Sequence, residues 1–280
     1  MSQDSTPPDP PQDRPLTFFT AGIWTLIALL LSTVIITMFE RDRATIDGVT
    51  RTGGLALAYS IVLFGVLRLH EPQASIRHVL GLRMPSVLAI LLSVAIGASL
   101  ELPSDWIDNV LAPRFPTPPE EEEAVNAFLA VTSVGKGVSL FVTLGLIQPI
   151  LFELFFRGVI FTPLRRTYRA ETVILGVAAF DTFGNLASPR AALALLASTL
   201  VFSWLRGVTG SVIPAIAAHV GFSVVGVLPI CMRLPEVHPT KTLLIASGVT
   251  ALASLIGLSL VSRTARAIDA RQRDAGEVPL

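Results

Sequence analysis

The chain has 280 residues, of which 51% are hydrophobic and 15% charged, and its mean hydropathy is +0.65. Soluble domains run nearer a quarter charged, so this composition excludes an ordinary soluble globule and a disordered protein. Its 21 basic and 21 acidic residues cancel, leaving no basic field to hold nucleic acid. One cysteine, Cys231, excludes a disulfide framework and a Cys-rich zinc module.

Residues 1–15 are Pro-rich and lack an apolar run, which predicts a disordered tail. They carry three aspartates and one arginine, not the basic start of a cleaved signal. The apolar run Leu16 to Phe39 reaches the roughly 20 residues that a membrane crossing needs, so it reads as a retained first span. Gly53 to Leu69 and Pro85 to Leu102 read as the second and third spans. Residues 103–123 form a polar, Pro-rich loop ending in Glu120 to Glu123, acidic residues that suit the first turn of a following helix. Ala124 to Leu164 is too long for one crossing. It predicts a short interfacial helix, a break near Gly135-Lys136-Gly137 and a fourth span ending at Arg165-Arg166. Thr172 to Phe183 is short for a span. Ala191 to Leu205, Ser211 to Ile230 and Thr242 to Val261 complete a count of about eight. The expected organisation is therefore a tail (1–15), an all-α polytopic helix bundle (16–262) and a charged C-terminal tail (263–280).

Eight crossings with both ends in the cytoplasm place Arg68, Arg77, Arg83, Arg165, Arg166 and Arg206 inside. Basic residues then outnumber those outside, a moderate positive-inside bias opposed by Arg41 and Arg43 in the first loop.

Polar residues within spans are costly and so informative. Glu153 and Arg157 in the fourth span are four apart on one helix face, with the glutamate N-terminal, the better order for an ion pair. The pair either pins helix packing or belongs to a site. His219 follows Pro214 and a run of small residues that let helices approach closely. It is either a satisfied core histidine or a ligand. Asp181 is either a helix-end residue or a site residue. Gln148, beside Pro149, reads as a hydrogen-bonding residue at a kink. The other histidines, His70, His78 and His238, fall in loops. Cys231 lies twelve residues past His219, about 18 Å along one helix, so the two cannot share a site.

The segment Phe152-Glu153-Leu154-Phe155-Phe156-Arg157-Gly158 resembles the Glu-Glu-x-x-x-Arg motif of the CPBP family of intramembrane metalloproteases. That group includes CAAX-processing, Rce1-like proteases and bacteriocin-immunity proteins. His219-Val220-Gly221-Phe222-Ser223 resembles its His-x-x-x-Asn motif, and Trp204 to Pro214 resembles the run leading into it. Phe180-Asp181-Thr182-Phe183-Gly184 best matches its Phe-x-x-x-His motif, since the alternative, Phe202 to Arg206, leaves too little chain before His219. The resemblance covers roughly residues 124–230.

In that family the first glutamate activates a metal-bound water, two histidines hold the metal, the asparagine assists and the second glutamate pairs with the arginine. Carried over position by position, Phe152 stands for the general base, Gly184 for the first histidine and Ser223 for the asparagine. Glu153, Arg157 and His219 remain. The resemblance therefore implies a degenerate member that holds no metal and uses its old substrate cavity as a scaffold for a partner transmembrane helix or a lipidated peptide. The alternative is an active metalloendopeptidase for membrane-associated or prenylated-type peptides, with Asp181, Glu153 and His219 gathered around zinc. A transporter ranks last, because no two related halves are visible. Without a transit peptide, the expected location is the bacterial inner membrane.

Overall fold

Hydrocarbon offers no water to satisfy exposed backbone groups, so each apolar run closes its own hydrogen bonds as a helix. The computed structural model describes residues 15–39, 48–184, 188–234 and 239–274, with side chains to residue 264. The Pro-rich tail up to residue 14, Arg41, Arg43 and His238 lie outside the described residues. Ten helices follow in order: α1 (Phe18–Phe39), α2 (Gly48–His70), α3 (Ile76–Leu80), α4 (Val87–Leu111), α5 (Pro119–Leu129), α6 (Val134–Thr167), α7 (Ala170–Phe183), α8 (Pro189–Thr209), α9 (Ile213–Cys231) and α10 (Lys241–Asp274). The result is an all-α bundle.

Among the described residues, seven helices are long and apolar enough to cross a membrane: α1, α2, α4, α6, α8, α9 and α10 as far as Thr264. The eighth apolar run forms α7, whose 14 residues extend about 21 Å against a hydrocarbon core of about 30 Å. The outward faces carry bare apolar side chains such as Leu91 and Ile245. In a multi-pass membrane protein those faces meet lipid.

Four local expectations shift, the first being the loop expected over 103–123: α4 runs on through Pro103 to Leu111, and α5 already begins at Pro119. The break after α5 falls at residues 130–133, not at the Gly135-Lys136-Gly137 run. Ser133 caps α6 by accepting from the Lys136 amide at 3.2 Å, so the glycines lie inside the helix. A Cβ on Gly137 would stand 3.1 Å from the Cys231 carbonyl, so that glycine serves close packing against α9. His70 and His78 are helical rather than loop residues, and the Trp24 indole donates to His70 Nε2 at 3.1 Å, tying the end of α2 to α1. The chain beyond Arg263 stays helical to Asp274.

Two apolar cores hold the bundle. One, rich in aromatics, joins α1, α2, α6 and α7 through Tyr59, Phe155, Phe156 and Val177. The other joins α4, α8, α9 and α10 through Ile96, Phe202, Ala218 and Leu258. Helices α4 and α9 cross with backbones nearly touching. A Cβ on Gly97 would lie 1.6 Å from the Ala218 carbonyl oxygen, and one on Gly221 would lie 2.6 Å from that of Val94. Close approach of this kind replaces the hydrophobic drive that lipid removes.

Pro103 interrupts α4 and has no N–H to offer Ser99, one turn back. The Ser247 hydroxyl of α10 donates to that Ser99 carbonyl instead. The carbonyl left free by the proline thereby becomes an attachment point for α10.

These contacts set expected costs. Gly97→Leu should lower stability by about 3 kcal/mol, the upper range for overpacking, while Ser247→Ala should cost only about 0.6 kcal/mol. Thermal unfolding of the detergent-purified variants measures both.

Candidate functional site

Helix α6 carries the polar centre. Residues 141–147 and 154–160 are wound as π-helix, on either side of the Gln148–Glu153 turn that holds Pro149. Such insertions recur at functional positions because they re-aim side chains. Glu153 and Arg157 are both fully buried, and Arg157 Nη1 donates to Glu153 Oε1 at 3.1 Å.

Arg157 reaches two further helices. The same Nη1 donates to the Asp181 carboxylate of α7. Its Nε donates to Ser203 Oγ at 3.1 Å and its Nη2 to the Thr199 carbonyl at 2.7 Å, both on α8. His219 of α9 places Nδ1 2.8 Å from Glu153 Oε1, and its ring stacks on Phe202 with centroids 4.9 Å apart. One guanidinium thus faces two carboxyl groups and ties together α6, α7 and α8, while His219 joins α9 to the cluster through Glu153. With both carboxyls ionised and His219 neutral, the cluster carries one unbalanced negative charge. A proton on His219 removes it.

Above this cluster lies a cavity of about 460 Å³. Its lining includes Phe152, Asp181, Gly184, His219 and Ser223, with Gln148 and Tyr59 on the walls. Phe152, Gly184 and Ser223 therefore face one space, which Arg206 does not line. The Phe152 ring packs at a tilt against Tyr59 and edge-on against Phe156, with centroids 5.3 and 6.5 Å away. Glu153 is sealed beneath the cavity wall at 0% exposure, and its Oε2 has no hydrogen-bond partner among the described residues.

This donor set does not fit zinc. A hydrolytic zinc needs about three protein ligands and an open position. The cavity offers His219 and Asp181, but Gly184 has no side chain, Glu153 is enclosed and Arg157 occupies the carboxylate of Asp181. Among the described residues, no group of three or more His, Cys, Asp or Glu could hold a metal ion. Glu153, Asp181 and His219 do share one cluster, but it is organised around a guanidinium.

The sequence reading missed Thr199 and Ser203. Their signal was present: Thr199, Ser203 and Arg206 stand four and three residues apart, a polar stripe on one face of an otherwise apolar span.

Fold and site together define a multi-pass membrane protein with a buried charge cluster at the base of an intramembrane cavity. Residues 134–225 match the family model described as type II CAAX prenyl endopeptidase Rce1-like. The matched stretch runs from the start of α6 into α9, contains Glu153, Arg157, Asp181 and His219, and supports membership of the CPBP/CAAX-protease family. No curated protein and no solved structure matches the chain.

The cluster makes a sharp energetic expectation. Arg157→Met strands two buried carboxyl groups and should cost about 3–5 kcal/mol. Combining it with Glu153→Gln and Asp181→Asn removes the uncompensated charge and should restore most of the loss. Unfolding midpoints of the single and triple variants in detergent test this.

Proposed function

We propose that this CAAX-protease-like membrane protein does not hydrolyse peptides but binds them, with its intramembrane cavity receiving a partner transmembrane helix or a lipidated peptide. The carrying observation is the cavity wall itself. Phe152, Gly184 and Ser223 line the cavity together, and on the motif resemblance a phenyl ring then takes the general-base position, a glycine the imidazole position and a hydroxyl the amide position. Phe152 cannot take a proton from water, and no neighbouring carboxylate replaces it, because Glu153 is enclosed and Asp181 is held by Arg157.

What remains suits binding. The cavity mixes aromatic and aliphatic walls with a few polar groups, the usual make-up of a site that orients a largely apolar ligand. In this reading His219, with Nδ1 committed to Glu153, offers its remaining ring nitrogen to a ligand in the cavity. The protein uses no metal cofactor.

Two measurements test the proposal. Purified wild type and His219→Ala should both lack stoichiometric zinc, and neither should cleave a farnesylated peptide with zinc supplied. A fluorescent farnesylated peptide should bind wild type saturably, and Ser223→Trp, which fills the cavity, should weaken that binding at least about tenfold. One equivalent of zinc with cleavage, both lost in His219→Ala, overturns the reading in favour of an active endopeptidase. No saturable binding by wild type overturns the binding role.

A further inference from the structure

A second charged site lies at the other end of the arginine-bearing stripe on α8. Arg206 occupies the last turn of that helix and is only 7% exposed. Its Nε donates to the Arg157 carbonyl at 2.9 Å and its Nη2 to Thr162 Oγ1 at 2.9 Å. The guanidinium also lies 5.5 Å from the centre of the Phe161 ring. Unlike Arg157, it has no carboxylate partner among the described residues. The nearest loop brings in a second cation: Arg83 follows Gly81 by two residues, and its carbonyl accepts from Ser211 Oγ at the turn after α8.

The fold brings the loop that carries Arg83 onto Arg206. Gly81 ends α3 in the left-handed conformation, with φ of 64°, and a Cβ there would stand 2.4 Å from Arg206 Nη2. The Val212 amide donates to the Gly81 carbonyl at 3.1 Å, closing the 81–83 loop onto the α8–α9 turn. Arg206 is thus a nine-tenths buried cation without a carboxylate, and the loop packed on it adds the exposed cation Arg83. A guanidinium's remaining N–H donors match the oxygens of a phosphate.

Depth identifies the source of that phosphate. Ser86 caps α4, accepting from the Ala89 amide at 3.3 Å, so the span starts just past Arg83. Met84, Val87 and Leu88 are 78%, 72% and 54% exposed, an apolar surface that begins beside Arg83 and continues along a membrane-crossing helix. Arg83 and Arg206 therefore lie where apolar side chains give way to polar loop, the level of lipid headgroups. Basic residues at that level attract anionic lipid. We propose that Arg206 and Arg83 form a binding site for the phosphate of an anionic phospholipid headgroup.

The test uses the full chain in dodecyl maltoside and follows the unfolding midpoint against added phosphatidylglycerol, phosphatidylcholine or inorganic phosphate. Phosphatidylglycerol should raise the midpoint saturably. Phosphatidylcholine, whose choline offsets the phosphate charge, should not. Arg83→Ala should shift the half-saturating lipid concentration about fivefold upward, while Arg114→Ala, an exposed arginine on the loop at the far end of α4, should leave it unchanged. Arg206→Ala also removes the bond to the Arg157 carbonyl, so Arg206→Lys, which keeps the charge but loses the planar fork, is the second variant and should weaken the response similarly. An equal response of Arg83→Ala and Arg114→Ala, or no distinction between the two lipids, overturns the proposal. A rise with inorganic phosphate equal to that with phosphatidylglycerol overturns the lipid assignment in favour of free phosphate.

Discussion

The structure depends on one guanidinium. Arg157 is fully buried in a bundle whose outer faces are apolar, where a lone charge costs on the order of 3 kcal/mol or more. It is tolerable only because Glu153, Asp181, Ser203 and the Thr199 carbonyl converge on it from three helices. The same bonds fix the mutual positions of α6, α7 and α8, and His219 extends the constraint to α9 through Glu153. Lipid supplies no hydrophobic drive between helices, so a charged knot with directional bonds sets their register more sharply than apolar packing does.

That constraint separates the residues that hold the helices together from those that line the cavity. The residues that hold the helices in place are Glu153, Arg157, Asp181 and His219, and they sit below or at the edge of the cavity. Phe152, Gly184 and Ser223 face the cavity itself and carry little of that load. Chemistry at the cavity surface can change while the knot beneath it stays. The Arg157 carbonyl also accepts from Arg206, so the buried knot and the basic end of α8 share one continuous hydrogen-bonded path.

The backbone meets the same scarcity of partners in its own way. Gly97 and Gly221 let α4 and α9 approach until no Cβ would fit between them. Pro103 leaves a carbonyl bare in α4, and Ser247 on α10 covers it. In each case a local irregularity in one helix becomes the place where another helix attaches.

The sequence by itself determined the all-α class, the apolar runs and the Glu153–Arg157 pair, because each depends on spacing within one helix. It also singled out His219 and Asp181, since charged or titratable residues are conspicuous in apolar spans. It misplaced the break before α6, where Gly137, in a run that looks like a breaker, lies inside the helix and lets α9 approach. It left Asp181 undecided and passed over Thr199 and Ser203. Only the tertiary structure decided that these residues meet Arg157, that Phe152, Gly184 and Ser223 face one cavity and that the loop carrying Arg83 packs on Arg206. The physical reason is range. Helical periodicity is a local property written in neighbouring residues, whereas helix adjacency is settled by close packing and buried charge between segments tens of residues apart.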